Sequence, residues 1–258
     1  YYGMTLISHD TNVPGWKKSS HFLSKHSNVF IETGLTQNGD LSDKENLLYC
    51  LKKYRNTINF VTGDGGFDFS IDFNKQETMS IKLLYYQIAF ALAIQKKGGN
   101  FILKVFDIFT QASIDLLYIL SLSYERIYIV KPYSSRYANS EKYIVCKNFK
   151  IDDSTEIVRN LAEKYDIINQ SKRVIRFLNI DIPYIFLNKL EEYNAIIGQQ
   201  QIENIVSTLY LINNNKPEKL ENMKNTNIQK CIQWCIKYNL PHAKNITDNN
   251  IFVPIVDK

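Results

Sequence analysis

The chain has 258 residues, of which 45% are hydrophobic and 13% aromatic, with a net charge of +5. This apolar fraction excludes a disordered chain and suffices for one large α/β domain, alone or with a helical appendage. The mildly basic charge permits a nucleic-acid partner without requiring one.

The four cysteines do not have the spacing of a disulfide framework, so we expect a reducing compartment. No signal peptide is visible, and the longest nearly apolar run, residues 83–94, is interrupted by Gln87 and too short to cross a bilayer. Cys231 and Cys235, with His242, have the residue types of a metal site. Cysteines four residues apart on an apolar helix face are more typical of a core, so we predict no metal. These features predict a cytoplasmic protein with no membrane partner.

The predicted elements alternate between strands and helices over residues 1–150. A short apolar run comes first, a capping box at Ser42 predicts the first long helix, and Thr110 is the predicted cap of a later one. The predicted strands cover residues 4–7, 29–31, 59–63, 101–106, 126–130 and 142–149, and the long helices begin near 42 and cover 77–97 and 114–122.

This alternation predicts an α/β fold with a largely parallel sheet and helices on both faces. After about residue 150 the strand signals stop, and helical spacing recurs in residues 199–211 and 227–238. We therefore predict two domains: an α/β domain over residues 1–150 and a mainly helical extension over residues 151–258, packed on it.

A glycine-rich turn follows one predicted strand. Residues 59–66 read Asn-Phe-Val-Thr-Gly-Asp-Gly-Gly, so a short strand ends at an acidic residue between glycines. The glycines allow a sharp turn and let another molecule approach Asp64 closely. The alternative is an ordinary turn with a solvated aspartate, which this short motif taken alone favours.

Three ionisable residues lie at or near the strand ends where sheets of this kind bind ligands: Asp64, Lys104 and Glu141. Lys104 lies in an otherwise apolar run, where a lysine is costly unless it is paired or can release its proton. Glu141 comes just before the last strand. The alternatives are a structural ion pair for Lys104 and an exposed rim charge for Glu141.

Three motifs occur in order at specific separations. They are Gly-Asp-Gly-Gly-Phe at 63–67, Gly-Gly-Asn-Phe-Ile-Leu-Lys-Val-Phe-Asp at 98–107 and Lys-Pro-Tyr-Ser-Ser-Arg-Tyr-Ala-Asn-Ser-Glu-Lys-Tyr at 131–143. Together they resemble the FtsJ/RrmJ-type RNA 2′-O-ribose methyltransferases, specifically the branch that acts on the mRNA cap. That branch also carries a Gly-Met-Thr-Leu strand, here at 3–6, and a Gly-Asp-hydrophobic turn, here at 39–41.

The resemblance implies a Rossmann-like methyltransferase sheet, S-adenosylmethionine as methyl donor and a catalytic Lys-Asp-Lys-Glu tetrad. Lys104 would be the base that takes the proton from the ribose 2′-hydroxyl as its oxygen attacks the methyl group. A lysine can do so near neutral pH only if its pKa falls, through desolvation and a second nearby cation. Asp64 and Glu141 would orient the two amines.

The resemblance also implies binding residues. Asp40 and Leu41 match positions that hold the adenosine part of the cofactor, and Asp64 lies close to the cofactor as well. A second set is implied to contact the RNA or support its backbone: Asn74, Asn139, Lys131, Ser135 and Arg136.

The chain departs from the family pattern near its beginning. The family's first strand, the glycine-rich turn around the methionine part of the cofactor, and the first tetrad lysine all belong upstream of residue 3. Their absence would leave two neighbouring strands unpaired, so we expect either a native polypeptide that extends upstream or another segment in the gap. The family's proline in the last motif is Tyr137 here.

Three functions are therefore considered. The first is methylation of capped mRNA, with other capping or transcription proteins as further partners. The second is an inactive RNA-binding or scaffold subunit on the same fold, and the third is an enzyme acting on ribosomal or transfer RNA. The Asn-, Ile- and Lys-rich composition suits a large cytoplasmic DNA virus, which would place the protein in a virion or viral factory.

Overall fold

The structure is a computed structural model that describes residues 1–8, 10, 13, 15–66, 72–132, 134–214 and 217–242. The chain divides into two compact units, Tyr1–Ile202 and Glu203–Lys258. Phe67 and Tyr133, which belong to the motifs, lie outside the described residues. The division into domains at residue 150 stays a prediction.

A four-stranded sheet forms the centre of the first unit. Two short strands, β1 and β2, pair in parallel separately from it, and the order within the larger sheet is β3-β4-β6-β5. The strands are β1 (Tyr2–Gly3), β2 (Phe30–Ile31), β3 (Ile58–Gly63), β4 (Gln95–Val105), β5 (Tyr124–Val130) and β6 (Lys142–Phe149).

The sheet is mixed rather than largely parallel: β3, β4 and β5 run in one direction and β6 runs against them. β3 runs parallel to β4, but β6 lies between β4 and β5 and is antiparallel to both. A loop, residues 131–141, joins β5 to β6 where a parallel pair would need a longer crossover, usually a helix. The start of β6 therefore lies beside the end of β4.

The predicted helices are present, together with shorter ones. α3 and α4 supply most of the helix contacts to the four-stranded sheet, and α2 and α5 pack on α3. The helices are α1 (Ser20–Lys25), α2 (Lys44–Tyr54), α3 (Gln76–Ile94), α4 (Gln111–Ser123), α5 (Thr155–Ala162), α6 (Tyr165–Gln170), α7 (Tyr184–Asn214) and α8 (Pro217–Lys237). No described helix combines the length and apolar character needed to cross a membrane.

Two predicted helix ends are wrong. The residue that caps α2 is Asp43, whose side chain accepts a hydrogen bond from the Glu45 amide, whereas the Ser42 hydroxyl donates to Asp40. α3 ends at Ile94, before the predicted glycine pair, because β4 already begins at Gln95. The Thr110 cap of α4 is confirmed by its bond from the Ser113 amide.

Alternation along β4 decides which side chains reach the core. Phe101, Leu103 and Val105 are buried, whereas Lys104 lies on the opposite face and is only partly covered. Because successive strand residues point to opposite faces, the apolar run can carry a lysine without placing it among the core side chains. Lys104 therefore lies outside the core, with 20% of its side chain exposed.

A buried carboxylate, Glu32, ties the end of β2 to α2. It accepts hydrogen bonds from the Gly34 amide at 2.9 Å, from Lys53 Nζ at 2.8 Å and from the Tyr54 hydroxyl. Burial opposes ionisation, but these donors outweigh it and lower the pKa of Glu32 below its usual 4.5. The ionised carboxylate therefore stabilises the fold.

We expect this contribution to disappear in acid. Because the folded-state pKa of Glu32 is depressed, its stabilisation is present above the unfolded pKa of 4.5 and is lost as pH falls through the folded pKa. Glu32→Gln should lower the free energy of unfolding in urea at neutral pH and flatten its decline from about pH 5 to about pH 3. Glu191→Gln, at an exposed position of α7, is the control and should leave the decline intact. A Glu32→Gln curve parallel to that of the parent would contradict the assignment.

Candidate active site

The glycine-rich turn and the β4 lysine meet. The Lys104 ammonium forms an ion pair with the Asp64 carboxylate just after β3. The Lys104 side chain is 20% exposed and that of Asp64 68%, so the pair lies at the surface of the sheet with its acidic partner open to solvent. Asp64 and Lys104 are therefore in contact, as both the catalytic role and the alternative of a structural ion pair require.

A buried glutamine on α3 holds the turn in place. The Gly65 amide donates a hydrogen bond of 2.8 Å to Gln87 Oε1, and the Gln87 amide nitrogen donates to the Leu83 carbonyl. A Cβ on Gly63 would lie 2.9 Å from the Leu103 side chain, so the turn packs too closely for a larger residue. Gly63 and Gly65 therefore pack closely beneath Asp64, whereas a Cβ on Gly66 would meet open space.

Glu141 joins the site through a tyrosine. In the β4–β6 register Lys104 lies directly opposite Tyr143, whose hydroxyl is 3.1 Å from Glu141 Oε1. Burial, the hydrogen bond to Glu141 and the charge of Asp64 raise the pKa of Tyr143 to about 12. The hydroxyl therefore stays protonated near neutral pH and donates to Glu141. Three neighbouring strands bring Asp64, Lys104, Tyr143 and Glu141 to one area.

Lys131 closes the loop before β6. Its ammonium donates to the carbonyls of Asn139 and Glu141 at 2.7 and 2.8 Å, and to Asn139 Oδ1 at 2.6 Å. Burial and the neighbouring Lys142 ammonium lower the pKa of Lys131. With these bonds Lys131 fixes the loop, so any support it gives to RNA acts through the loop's shape.

A second lysine fixes the start of β6. Lys142 is 2% exposed and forms an ion pair of 3.0 Å with Asp107, which follows β4. Its ammonium also lies 3.1 Å from the Ser140 carbonyl. Since Glu141 precedes Lys142 directly, this buried pair positions the Glu141 backbone against the end of β4.

The other residues implied to contact RNA lie around this loop. Ser140 Oγ donates to Gln76 Oε1 at 3.1 Å, which brings the loop to the start of α3, two residues after the exposed Asn74. Arg136 is exposed, and the Ser135 hydroxyl is buried with no hydrogen-bond partner among the described residues. Their contacts with RNA stay a prediction.

Asp40 and Leu41 lie on a separate loop before α2. Asp40 Oδ1 accepts hydrogen bonds of 2.8 Å from the amide and the hydroxyl of Ser42, and Leu41 packs partly buried against the core. Asn46, which is fully buried, donates to the Asp40 carbonyl at 3.0 Å. Gly39 has a φ of +65°, and a Cβ there would lie 2.0 Å from the Thr5 carbonyl. The loop is therefore rigid.

A cavity lies away from the predicted site, and the described residues contain no cluster of metal ligands. A cavity of about 430 Å³ beside Glu32 is lined by residues of β1, β2 and α2, and by none of the predicted site residues. Within the described part of the chain, no three His, Cys, Asp or Glu side chains are grouped as metal ligands.

Residues 8–149 match the family model described as FtsJ-like methyltransferase. This match covers more than half of the chain. The chain belongs to the FtsJ-like methyltransferase family. The family confirms the predicted α/β methyltransferase fold.

Relatives within this family come from the cap-specific branch. The chain is 34% identical over 205 residues to cap-specific mRNA (nucleoside-2′-O-)-methyltransferase 1 of Mus musculus, covering 75% of this chain and 23% of the relative. It is 31% identical over 191 residues to inactive cap-specific mRNA (nucleoside-2′-O-)-methyltransferase 1B of Caenorhabditis briggsae, covering 68% of this chain and 23% of the relative. The chain thus spans about a quarter of the length of these relatives.

Among solved structures, the chain resembles a protein described as a ribosomal RNA methyltransferase from Plasmodium falciparum. The TM-score is 0.34 and the identity 21%, over 48% of this chain and 65% of that one. A superposition this loose supports no statement about the site.

Sequence reasoning missed the residues that hold the site together. Gln87, which supports the glycine turn, interrupts an apolar helix, and a polar residue in such a run is a signal for a buried partner. Lys142 and Tyr143 end the third motif but were given no role, because their roles depend on the register between β4 and β6.

Proposed function

We propose that this chain is the methyltransferase domain of an enzyme that transfers a methyl group from S-adenosylmethionine to the ribose 2′-hydroxyl of capped mRNA. The observation that carries the proposal is the contact of Lys104 with Asp64 beside the Tyr143–Glu141 hydrogen bond. The cap-specific relatives, by their names, supply the substrate class. They are much longer than this chain, so the substrate is part of the proposal.

Each residue has a distinct role. Lys104, as its neutral amine, would accept the proton of the 2′-hydroxyl when the ribose oxygen takes the methyl group and the bond from that carbon to the cofactor sulfur breaks. Asp64 holds the Lys104 side chain from one side, while Tyr143 keeps Glu141 oriented across the strand pair. Bound S-adenosylmethionine supplies an already activated methyl group. The protein's main task is therefore alignment of the two reactants.

The described residues suit part of the cofactor. Asp40 is held in a rigid turn through Oδ1, with Oδ2 left to accept hydrogen bonds from a ligand hydroxyl. Asp64 follows a glycine turn and is largely exposed. Leu41 offers an apolar side chain next to Asp40 for a base. These three residues would hold the adenosine side of S-adenosylmethionine.

RNA contacts are assigned to the residues beside this site. Asn74 and Arg136 are exposed, and the loop that Lys131 closes also carries Asn139 and Ser135. Partner capping or transcription proteins, a cytoplasmic location and a viral origin are further proposals that rest on the resemblance and the composition.

The decisive experiment measures cofactor binding and methyl transfer together. Titration calorimetry with S-adenosylmethionine should be run on this chain and on a polypeptide that adds the upstream residues expected from the resemblance. The longer polypeptide should bind the cofactor and methylate capped RNA, but not the same RNA without a cap. Equal methylation of both RNAs would favour the enzyme of ribosomal or transfer RNA.

The inactive subunit is the second candidate, and one observation favours it. A relative 31% identical over 191 residues bears the word inactive in its name. If the longer polypeptide binds capped RNA but neither binds nor uses the cofactor, the protein is an RNA-binding or scaffold subunit.

A further inference from the structure

Two large aromatic side chains lie exposed at the end of α8, in the second compact unit: Trp234 in the last turn and Tyr238 directly after it. The rings of Trp234 and Tyr238 lie one helical turn apart with centroids 4.9 Å from each other, and the residues are 40% and 54% exposed. A single exposed aromatic residue is ordinary, but two in contact form a surface on which a flat ligand can stack.

A lysine lies close to each of the two rings, in space or in helical spacing. Lys237 Nζ lies 5.5 Å from the centroid of the Tyr238 ring. Lys230 precedes Trp234 by four residues, so helical spacing places both on the same side of α8. Residues 222–238 contain three lysines and no aspartate or glutamate. We refer to Lys230, Trp234, Lys237 and Tyr238 as the α8 platform.

The α8 platform lies on a different side of the helix from the partly buried residues of α8. Ile228, Ile232 and Cys235 are partly buried and recur at a spacing of four and three residues. Successive residues are rotated by about 100° around the helix axis, so the centre of this stripe lies on a different side of the axis from Trp234. The rings are therefore exposed on a side of α8 away from its partly buried residues.

We propose that the α8 platform binds single-stranded RNA. Bases stack on Trp234 and Tyr238, and the ammonium groups of Lys230 and Lys237 contact the phosphates between them. Charge of a single sign beside two stacking rings favours a polyanion with flat bases over an apolar protein partner. The choice of RNA over other nucleic acids rests on the proposed function.

RNA binding to the α8 platform can be followed through the fluorescence of Trp234. The chain has two tryptophans, Trp16 and Trp234. Uncapped oligoadenylate of about 12 nucleotides, added to the full chain, should quench the fluorescence of Trp234 by stacking. Trp234→Phe should abolish this quench while keeping the affinity within about twofold, since phenylalanine also stacks.

Affinity for the labelled oligoadenylate, measured by anisotropy, should weaken about tenfold in the Trp234→Ala, Tyr238→Ala double variant. Lys237→Gln should reduce the slope of log affinity against log salt by about 0.7, as expected for one lost phosphate contact on a single strand. Circular dichroism should show that each variant keeps the helix content of the parent.

Two variants on the same helix serve as controls. Ile236 is 60% exposed but lies outside the platform, so Ile236→Ala should bind as the parent does. Lys224 lies 3.6 Å from Glu221, and Lys224→Gln removes the same charge away from the rings. Unchanged affinity in the double variant, or an equal loss in the controls, would overturn the proposal. The proposal would also be overturned if the parent chain were a dimer in solution and the double variant were a monomer with unchanged RNA binding.

RNA binding by the α8 platform can be tested separately from methyl transfer. This binding is measured with uncapped RNA and without S-adenosylmethionine, and the α8 platform lies in a different compact unit from Lys104, so its detection does not depend on methyl transfer. If RNA binding follows the α8 platform while no methyl transfer is found, only the proposed enzymatic function fails.

Discussion

Replacing Lys104 with alanine should lower methyl transfer to capped RNA about a thousandfold, within the range that a general base contributes. The side chain lies on the partly exposed face of β4, so its removal opens no cavity among Phe101, Leu103 and Val105. We therefore expect the free energy of unfolding to change little. The measurement is the single-turnover rate at saturating S-adenosylmethionine, with capped-RNA binding followed by anisotropy.

Arginine at the same position separates a base from a mere positive charge. Lys104→Arg keeps a cation beside Asp64, but a guanidinium is not deprotonated near neutral pH, so this variant should be as inactive as alanine. Lys96→Ala removes an exposed lysine from the same strand and should retain the parent rate. An arginine variant with more than about a tenth of the parent rate would mean that Lys104 acts by charge alone.

Replacing Glu77 with alanine should lower the free energy of unfolding by about 3 to 5 kcal/mol. Glu77 is 8% exposed, and its Oε1 lies 2.9 and 2.7 Å from the amides of Phe109 and Thr110. The same oxygen accepts from the hydroxyls of Thr110 and Ser113 at 2.8 and 2.6 Å. Alanine would leave these donors at the start of α4 without their acceptor. Urea denaturation measures the loss.

Two further variants test the origin of this loss. Glu77→Gln keeps a carbonyl oxygen for the same donors without the charge, so we expect about half of the loss. Glu191→Ala replaces an exposed glutamate on α7 and should change stability by less than about 0.5 kcal/mol. A Glu77→Ala variant within about 1 kcal/mol of the parent would show that water replaces the carboxylate at the start of α4.

Local patterns were enough to predict most of the strands and helices. β6 was predicted with its observed ends, Lys142–Phe149, because it is a dense run of strand formers. Its direction was not predictable, since a strand has the same periodicity whichever way it runs. The end of α3 also escaped prediction: buried Gln95 bonds to the Asn100 carbonyl and to the distant Tyr124 hydroxyl, which fixes the start of β4.

Some residues of the candidate site were likewise predictable from the sequence and others were not. Asp64, Lys104 and Glu141 were predicted from motifs that resemble a family, and the structure brings Asp64 and Lys104 into contact. Tyr143 was not predicted, because it is one of 17 tyrosines and only cross-strand pairing places it opposite Lys104. Supporting residues of this kind act over long sequence separations and leave no pattern along the chain.

The three hydrogen bonds of Lys131 have a consequence for how this protein could diversify. They join the two ends of the loop, so the backbone at Asn139 and Glu141 has bonds that do not involve the intervening residues 132–138. That segment could be exchanged with one from a relative, or altered in length, while the reacting groups keep their places. If the proposed function holds, substrate preference could change here without a change in the chemistry, and we propose grafting loops at this position as a route to altered RNA selectivity.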